Sequence, residues 1–265
     1  MPPTPHRITP PAASAAPVIA HVPHASIEIP PEYRAQIDLD DADLACELVR
    51  LTDWHAEALF SWVPRHGGWL FANRLSRLVF DPERFRSDAD EPMAAAGQGV
   101  VYTHTTDGRR FATLSADERE RRVRELYDPY QAALTGLARE RLEQFGGVLI
   151  LDCHSFASRA LPSEPDQSPD RPDICIGTDA FHTPPELAER LVSGFDAEGL
   201  TVAVDRPFAG TLVPLEFWHA EARVHSVMIE VRRGLYCDEA TGMRNEQFEA
   251  MRDAVERVAV GALDG

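Results

Sequence analysis

Apolar residues along the 265-residue chain fall into short unbroken runs separated by longer amphipathic stretches, and that alternation sets the expected fold. PVIAHV (17–22), VLILDC (148–153), TVAV (201–204) and VHSVMIEV (224–231) have the length and continuity of strands buried on both faces of an α/β sheet. GGWLFANR and SRLVFD read as further strands or a hairpin, and GVVYTHTTDGRRFAT (99–113) alternates around an Asp-Gly turn. Residues 41–60 place Leu44, Leu48, Leu51 and Leu59 near helical spacing. Ser115 followed by Glu118 forms a capping-box signature for a long helix, which Pro129 should kink or split and Gly146-Gly147 should stop. Another helix opens at Thr183-Pro-Pro-Glu, and residues 245–261 close the chain as an amphipathic helix. The pattern predicts an α/β fold, a three-layer sandwich around a mixed central sheet. Residues 1–17, rich in Pro and Ala, read as a disordered tail before one domain over 18–265, and ALPSEPDQSPDRPD (160–173) reads as a long loop.

All 26 basic residues are arginine, against 43 acidic ones, for a formal net charge of −17. Without lysine there is no Schiff-base chemistry, no P-loop lysine and no lysine general base. The acidic balance argues against nucleic acid and anionic membranes as partners. Cys46, Cys153, Cys175 and Cys237 form no CxxC pair, so neither a zinc ribbon nor a disulfide framework is indicated. The chain shows neither a signal-peptide pattern nor an apolar stretch long enough to span a membrane, which gives a cytoplasmic expectation.

Catalytic groups of open α/β sheets gather at the carboxyl ends of strands. Three such ends carry titratable groups: His24 after PVIAHVP, Asp152-Cys153-His154 after VLIL, and Glu230 within VMIEV. Histidines and carboxylates drawn from separate strand ends suit a catalytic metal, which needs three protein ligands and an open position for water. Each histidine alone is equally a satisfied structural one. Cys153, between Asp152 and His154, should point away by strand alternation. Glu230 has Met228, Ile229 and Val231 around it, so it must be paired or functional. Arg232 or Arg233 is the structural partner it would take.

The chain resembles the N-formylglutamate amidohydrolase family, through an ordered series of segments. They are HVPHASIEIP (21–30), TDWHAEALF (52–60), SRLVFDPERF (76–85), GVVYTHTTDGR (99–109), LYDPYQAAL (126–134), LDCHSF (151–156), DICIGTD (173–179), RPFAGTLVP (206–214) and SVMIEVRRGLYCDE (226–239). The resemblance implies a phosphorylase/hydrolase-like, zinc-carboxypeptidase-like fold. It also implies metal-dependent hydrolysis of an N-formyl or N-acyl amino acid, with zinc or another divalent metal and a small-molecule substrate. It implies metal ligands His24 and His154, with Asp53 as the third and Glu28 as its competitor. Asp152 would orient His154, and His21 would be structural. Glu230 is implied as general base, Arg77 as stabiliser of the oxyanion, and Arg84 as carboxylate clamp. Tyr102, Gly210 and Arg232 are expected at the substrate, with Tyr127 and Tyr130 as weaker candidates.

Two departures bear on selectivity. Where relatives have Asn before the clamp arginine this chain has Glu83, a carboxylate expected to disfavour a glutamate side group. Asp205-Arg206-Pro-Phe stands in place of the more common Asn-x-Pro-Phe. A hydrolase of another small amide or peptide on the same scaffold, and an inactive metabolite-binding paralogue, are the competing readings.

Overall fold

In the computed structural model, which describes residues 4–263, seven strands form one sheet in the order β1-β3-β2-β4-β7-β5-β6. They are β1 His6–Thr9, β2 Val18–Val22, β3 Trp69–Asn73, β4 Val148–Phe156, β5 Ile174–Gly177, β6 Val202–Val204 and β7 Val224–Arg232. β1 and β5 run antiparallel to their neighbours β3 and β7, and the remaining pairs are parallel. The mixed sheet flanked by helices on both faces is the predicted three-layer α/β sandwich.

The helices are α1 Pro31–Arg34, α2 Asp41–Leu51, α3 Ala56–Leu59, α4 Ala116–Arg122, α5 Asp128–Phe145, α6 Pro185–Ala197 and α7 Phe248–Leu263. Strand alternation divides the core. Leu151 and Cys153 of β4, with Val227, Ile229 and Val231 of β7, pack in one cluster with residues of α3, α6 and α7. Val148 and Ile150 face the other way, into a cluster with Tyr130, Leu134 and Leu137 of α5. The next residues on that same face of β4 are Asp152, His154 and Phe156, at the carboxyl end of the strand. Cys153 therefore lies in the core, on the opposite face from His154, as alternation requires.

Several elements differ from the pattern reading. Residues 1–3 lie outside the described residues, but His6–Thr9 is an edge strand whose four residues register with Thr9↔Leu70 through His6↔Asn73. A polar, Pro-flanked segment of this length carries no periodic signal, and it is ordered by backbone pairing. Residues 41–60 are two helices rather than one. α2 ends at Thr52, whose ψ of 134° is extended, and α3 starts after His55 at a left-handed φ of 63°. SRLVFD forms turns rather than a strand, and the 99–113 stretch contributes a single bridge, His104↔Arg110. The Ser115 capping box is present, and α4 runs through a π-helical segment at Val123–Tyr127 into α5, which ends at Gly146 with φ 79°. Pro129 lies just after the π-helical segment, so the helix is neither stopped nor split at the proline but carries the π-helical irregularity immediately before it. No helix among the described residues is long and apolar enough to cross a membrane.

Candidate active site

Two imidazoles, His24 from the segment after β2 and His154 from β4, face each other with ring centroids 5.1 Å apart. Each ring has two edges, and carboxylates stand on both. On the Nδ1 edges, one Asp53 oxygen lies 3.1 Å from His154 and 3.8 Å from His24. Asp53 reaches that position because α2 stops at Thr52. Its backbone N–H then donates to the His24 carbonyl at 3.0 Å, and its carboxylate accepts from the Ser155 N–H at 3.2 Å. The break between α2 and α3 is thus what carries the acid into the site.

On the Nε2 edges, His24 meets Asp81 at 2.8 Å, and His154 meets Asp152 at 3.1 Å and Glu83 at 3.0 Å. The second Glu83 oxygen is 3.6 Å from His24 Nε2. Ligand atoms of His24, Glu83 and His154 lie within 4.8 Å of one another, as do those of His21, Glu83 and Asp152. His21, fully buried, bonds Asp152 through Nδ1 at 2.9 Å and the Tyr130 hydroxyl through Nε2 at 2.8 Å. The second oxygen of Asp152 accepts from the Leu212 N–H at 2.8 Å. Neither Asp53 nor Glu28 belongs to these two groups; Asp53 is buried against both imidazoles, whereas Glu28 is exposed.

Asp81 is a site residue that the sequence reading passed over. It is fully buried and binds His24, Arg77 at 2.8 Å, the Tyr102 hydroxyl at 2.8 Å and the Glu83 N–H at 3.0 Å. Arg84 Nε lies 3.4 Å from it. Burial alone would raise its carboxyl, but His24, Arg84 and Arg77 outweigh that and hold it well below the ordinary range. The Asp of DPERF was visible only as part of the clamp segment, since a local motif does not show how many partners converge on one side chain. Asp81→Asn should cost about 3–5 kcal/mol in denaturant unfolding, because two arginines lose a buried counter-charge. A loss below about 1 kcal/mol would show that the arginines find other partners.

Glu230 lies beside His154, its register partner in the parallel β4–β7 ladder. Neither following arginine pairs with it: Arg232 is bonded to Asp173, and Arg233 donates to the carbonyls of Thr52 and Arg50. One Glu230 oxygen is buried with no hydrogen-bond partner among the described residues. Burial, reinforced by Asp53, Glu83 and Asp152 and opposed by His154, pushes its carboxyl up to about 8. The neutral form is therefore the one folding favours. Its contribution to stability is full below about pH 4.5 and is lost as pH rises through about 8. In metal-free protein, the melting-temperature advantage of Glu230→Gln should grow over that window; an advantage constant with pH would contradict this.

A cavity of about 370 Å³ opens next to these groups, lined by Glu83, Arg84, Tyr127, Asp152, Gly210 and Met228, among others. Gly210 and Arg84 thus stand where substrate contact was expected. Glu83 also lines the cavity, with its carboxylate turned to the imidazoles. Arg77 and Tyr102 are bonded to Asp81 and, like His24, Asp53, His154 and Glu230, are not among the residues lining this cavity, while Arg232 is directed away to Asp173.

With this geometry in view, the comparisons decide the lineage. The N-formylglutamate amidohydrolase family model matches residues 16–237. The chain belongs to the N-formylglutamate amidohydrolase family. An N-formylglutamate deformylase of Pseudomonas aeruginosa is 31% identical over 260 residues, covering 93% of this chain and 92% of that protein. A second, from Pseudomonas putida, is 28% identical over 231 residues, covering 84% and 82%. The crystal structure of an N-formylglutamate amidohydrolase from Ralstonia eutropha JMP134 superposes with a TM-score of 0.87 at 26% identity, covering 98% of each chain. This family member thus shares both sequence and fold with its relatives over nearly its whole length.

Proposed function

We propose that this amidohydrolase cleaves the amide bond of an N-formyl or N-acyl amino acid, the N-formylglutamate type of substrate for which its relatives are named, with a divalent metal at the paired histidines. The observation that carries the reading is the arrangement of His24 and His154. Each offers Nδ1 toward the Asp53 carboxylate and keeps a carboxylate on Nε2. An outer carboxylate on the far nitrogen is how ligating imidazoles are usually fixed in tautomer and orientation. His24, Asp53 and His154 would hold the ion, and zinc suits two imidazoles and a carboxylate. When bound, such an ion polarises the acyl oxygen and acidifies a water.

The protein's own groups do the rest. Arg84 at the cavity wall takes the substrate carboxylate through its planar fork. Glu230, ionised under the influence of a cation, removes a proton from the attacking water and delivers it to the leaving amine nitrogen. Arg77, whose Nε has no partner among the described residues, supplies N–H donors for the oxyanion. Formate, or another acid, and the free amino acid result. The test is formate release from N-formyl amino acids by metal-loaded protein, with chelator-treated protein as control. Equal turnover with and without chelator would overturn the metal-dependent reading.

A further inference from the structure

The amidohydrolase reading leaves the far wall of the cavity without a purpose. Arg84 is the only cationic side chain among the described residues lining it, while Glu83, Asp152 and Asp179 line it as carboxylates. Arg84 can clamp the α-carboxylate that every N-acyl amino acid carries. A second substrate carboxylate would then meet acids, or the apolar wall opposite, and no further cation.

That wall is built from large apolar side chains left open to solvent. Phe85, Leu215 and Trp218 all line the cavity and are 36%, 54% and 45% exposed. The Phe85 and Trp218 rings lie 6.0 Å apart, and Leu212 and Val213 continue the surface inward. Trp218 is braced from behind. The His219 ring sits 4.8 Å from it, and His219 is fixed by a 3.0 Å bond to Asp179. Contiguous exposed apolar surface beside a catalytic cleft marks a binding surface. Because it lines the same cavity as Arg84 and as Glu83 and Asp152, which bond His154, its occupant is part of the substrate.

Resting on the proposed amidohydrolase activity, we infer that Phe85, Leu215 and Trp218 form a subsite for an apolar side chain. The favoured substrate is then an N-formyl or N-acyl amino acid with one carboxylate and an aliphatic or aromatic side chain. Glu83 contributes by keeping this region of the cavity anionic, though its carboxylate is aimed at the imidazoles.

The experiment uses metal-loaded Glu230→Gln protein and calorimetric titration with N-formylglycine, N-formylleucine and N-formylglutamate. N-formylleucine should bind at least about 10-fold more tightly than N-formylglycine, the scale of discrimination an apolar pocket provides, and more tightly than N-formylglutamate. Adding Trp218→Ala or Leu215→Ala should remove most of that advantage while N-formylglycine affinity stays within about twofold. N-formylglutamate binding most tightly, leucine and glycine binding equally, or no binding of any of the three overturns the subsite. Failure of the hydrolytic reading is seen separately: wild-type protein would release no formate from any substrate, whatever the order of affinities.

Discussion

Glu230→Gln is expected to lower turnover by about 10²–10⁴-fold, the range that a positioned general base contributes, with the bound metal retained. The amide keeps the volume of the carboxylate and the β7 backbone is unchanged, so His24, Asp53 and His154 stay where they are. What is lost is the one acid beside His154 with a buried oxygen free of any hydrogen-bond partner among the described residues. That orphaned oxygen separates Glu230 from the other acids of the site: Asp53, Asp81, Glu83 and Asp152 each accept at least one hydrogen bond or face an imidazole. Rates for formate release, read together with metal content by elemental analysis, check the expectation. Turnover comparable to wild type would remove Glu230 from the reaction, and loss of metal would make it a ligand or a support for one.

Removal of the metal should be equally severe and, unlike the substitution, reversible. Chelation is expected to abolish hydrolysis and zinc to restore it. The two edges of the imidazoles then make opposite forecasts for two carboxylates. If the ion sits on the Nδ1 edges, Asp53→Asn should weaken metal retention by more than the ~10–100-fold typical of losing an outer partner. Glu83→Gln should stay within that range or below it. The reverse order would place the ion on the Nε2 edges, where His24, Glu83 and His154 also converge. Elemental analysis after dialysis against graded chelator ranks the variants without reference to activity.

The fold was legible wherever a run of apolar residues had one interpretation. VLILDC and VHSVMIEV became the central pair β4 and β7, and the Ser115 capping box starts α4 as written. The segments that escaped are those whose order comes from distant partners. His6–Thr9 is held by β3, and at the break in the helix over 41–60 the Asp53 N–H is satisfied by the distant His24 carbonyl. The same distinction governs the site. His24, His154 and Glu230 could be picked out by residue type at strand ends, and Asp53 only through the family resemblance; the structure brings the four together. Asp81 could not, since its significance lies in joining His24, Arg77, Arg84 and Tyr102, a fact of three-dimensional convergence. Arg232 illustrates the converse: it lies two residues from Glu230 and matched the family segment, yet Asp173, just before β5, draws it away.

The β4–β7 ladder pairs nine consecutive positions, from Val148↔Val224 to Phe156↔Arg232, and so sets His154 and Glu230 side by side by backbone hydrogen bonds alone. Their separation follows the interstrand pitch of about 4.8 Å and is indifferent to most side-chain replacements nearby. Mutational drift can therefore rework the loops that carry Gly210 and Trp218 without detuning the distance between His154 and Glu230. A deletion of one residue from 225–229 would do the reverse, turning Glu230 to the opposite side of the sheet while leaving those loops intact. For a protein engineer this divides the molecule into a chassis to be left alone and a rim open to randomisation, with selectivity adjustable independently of rate.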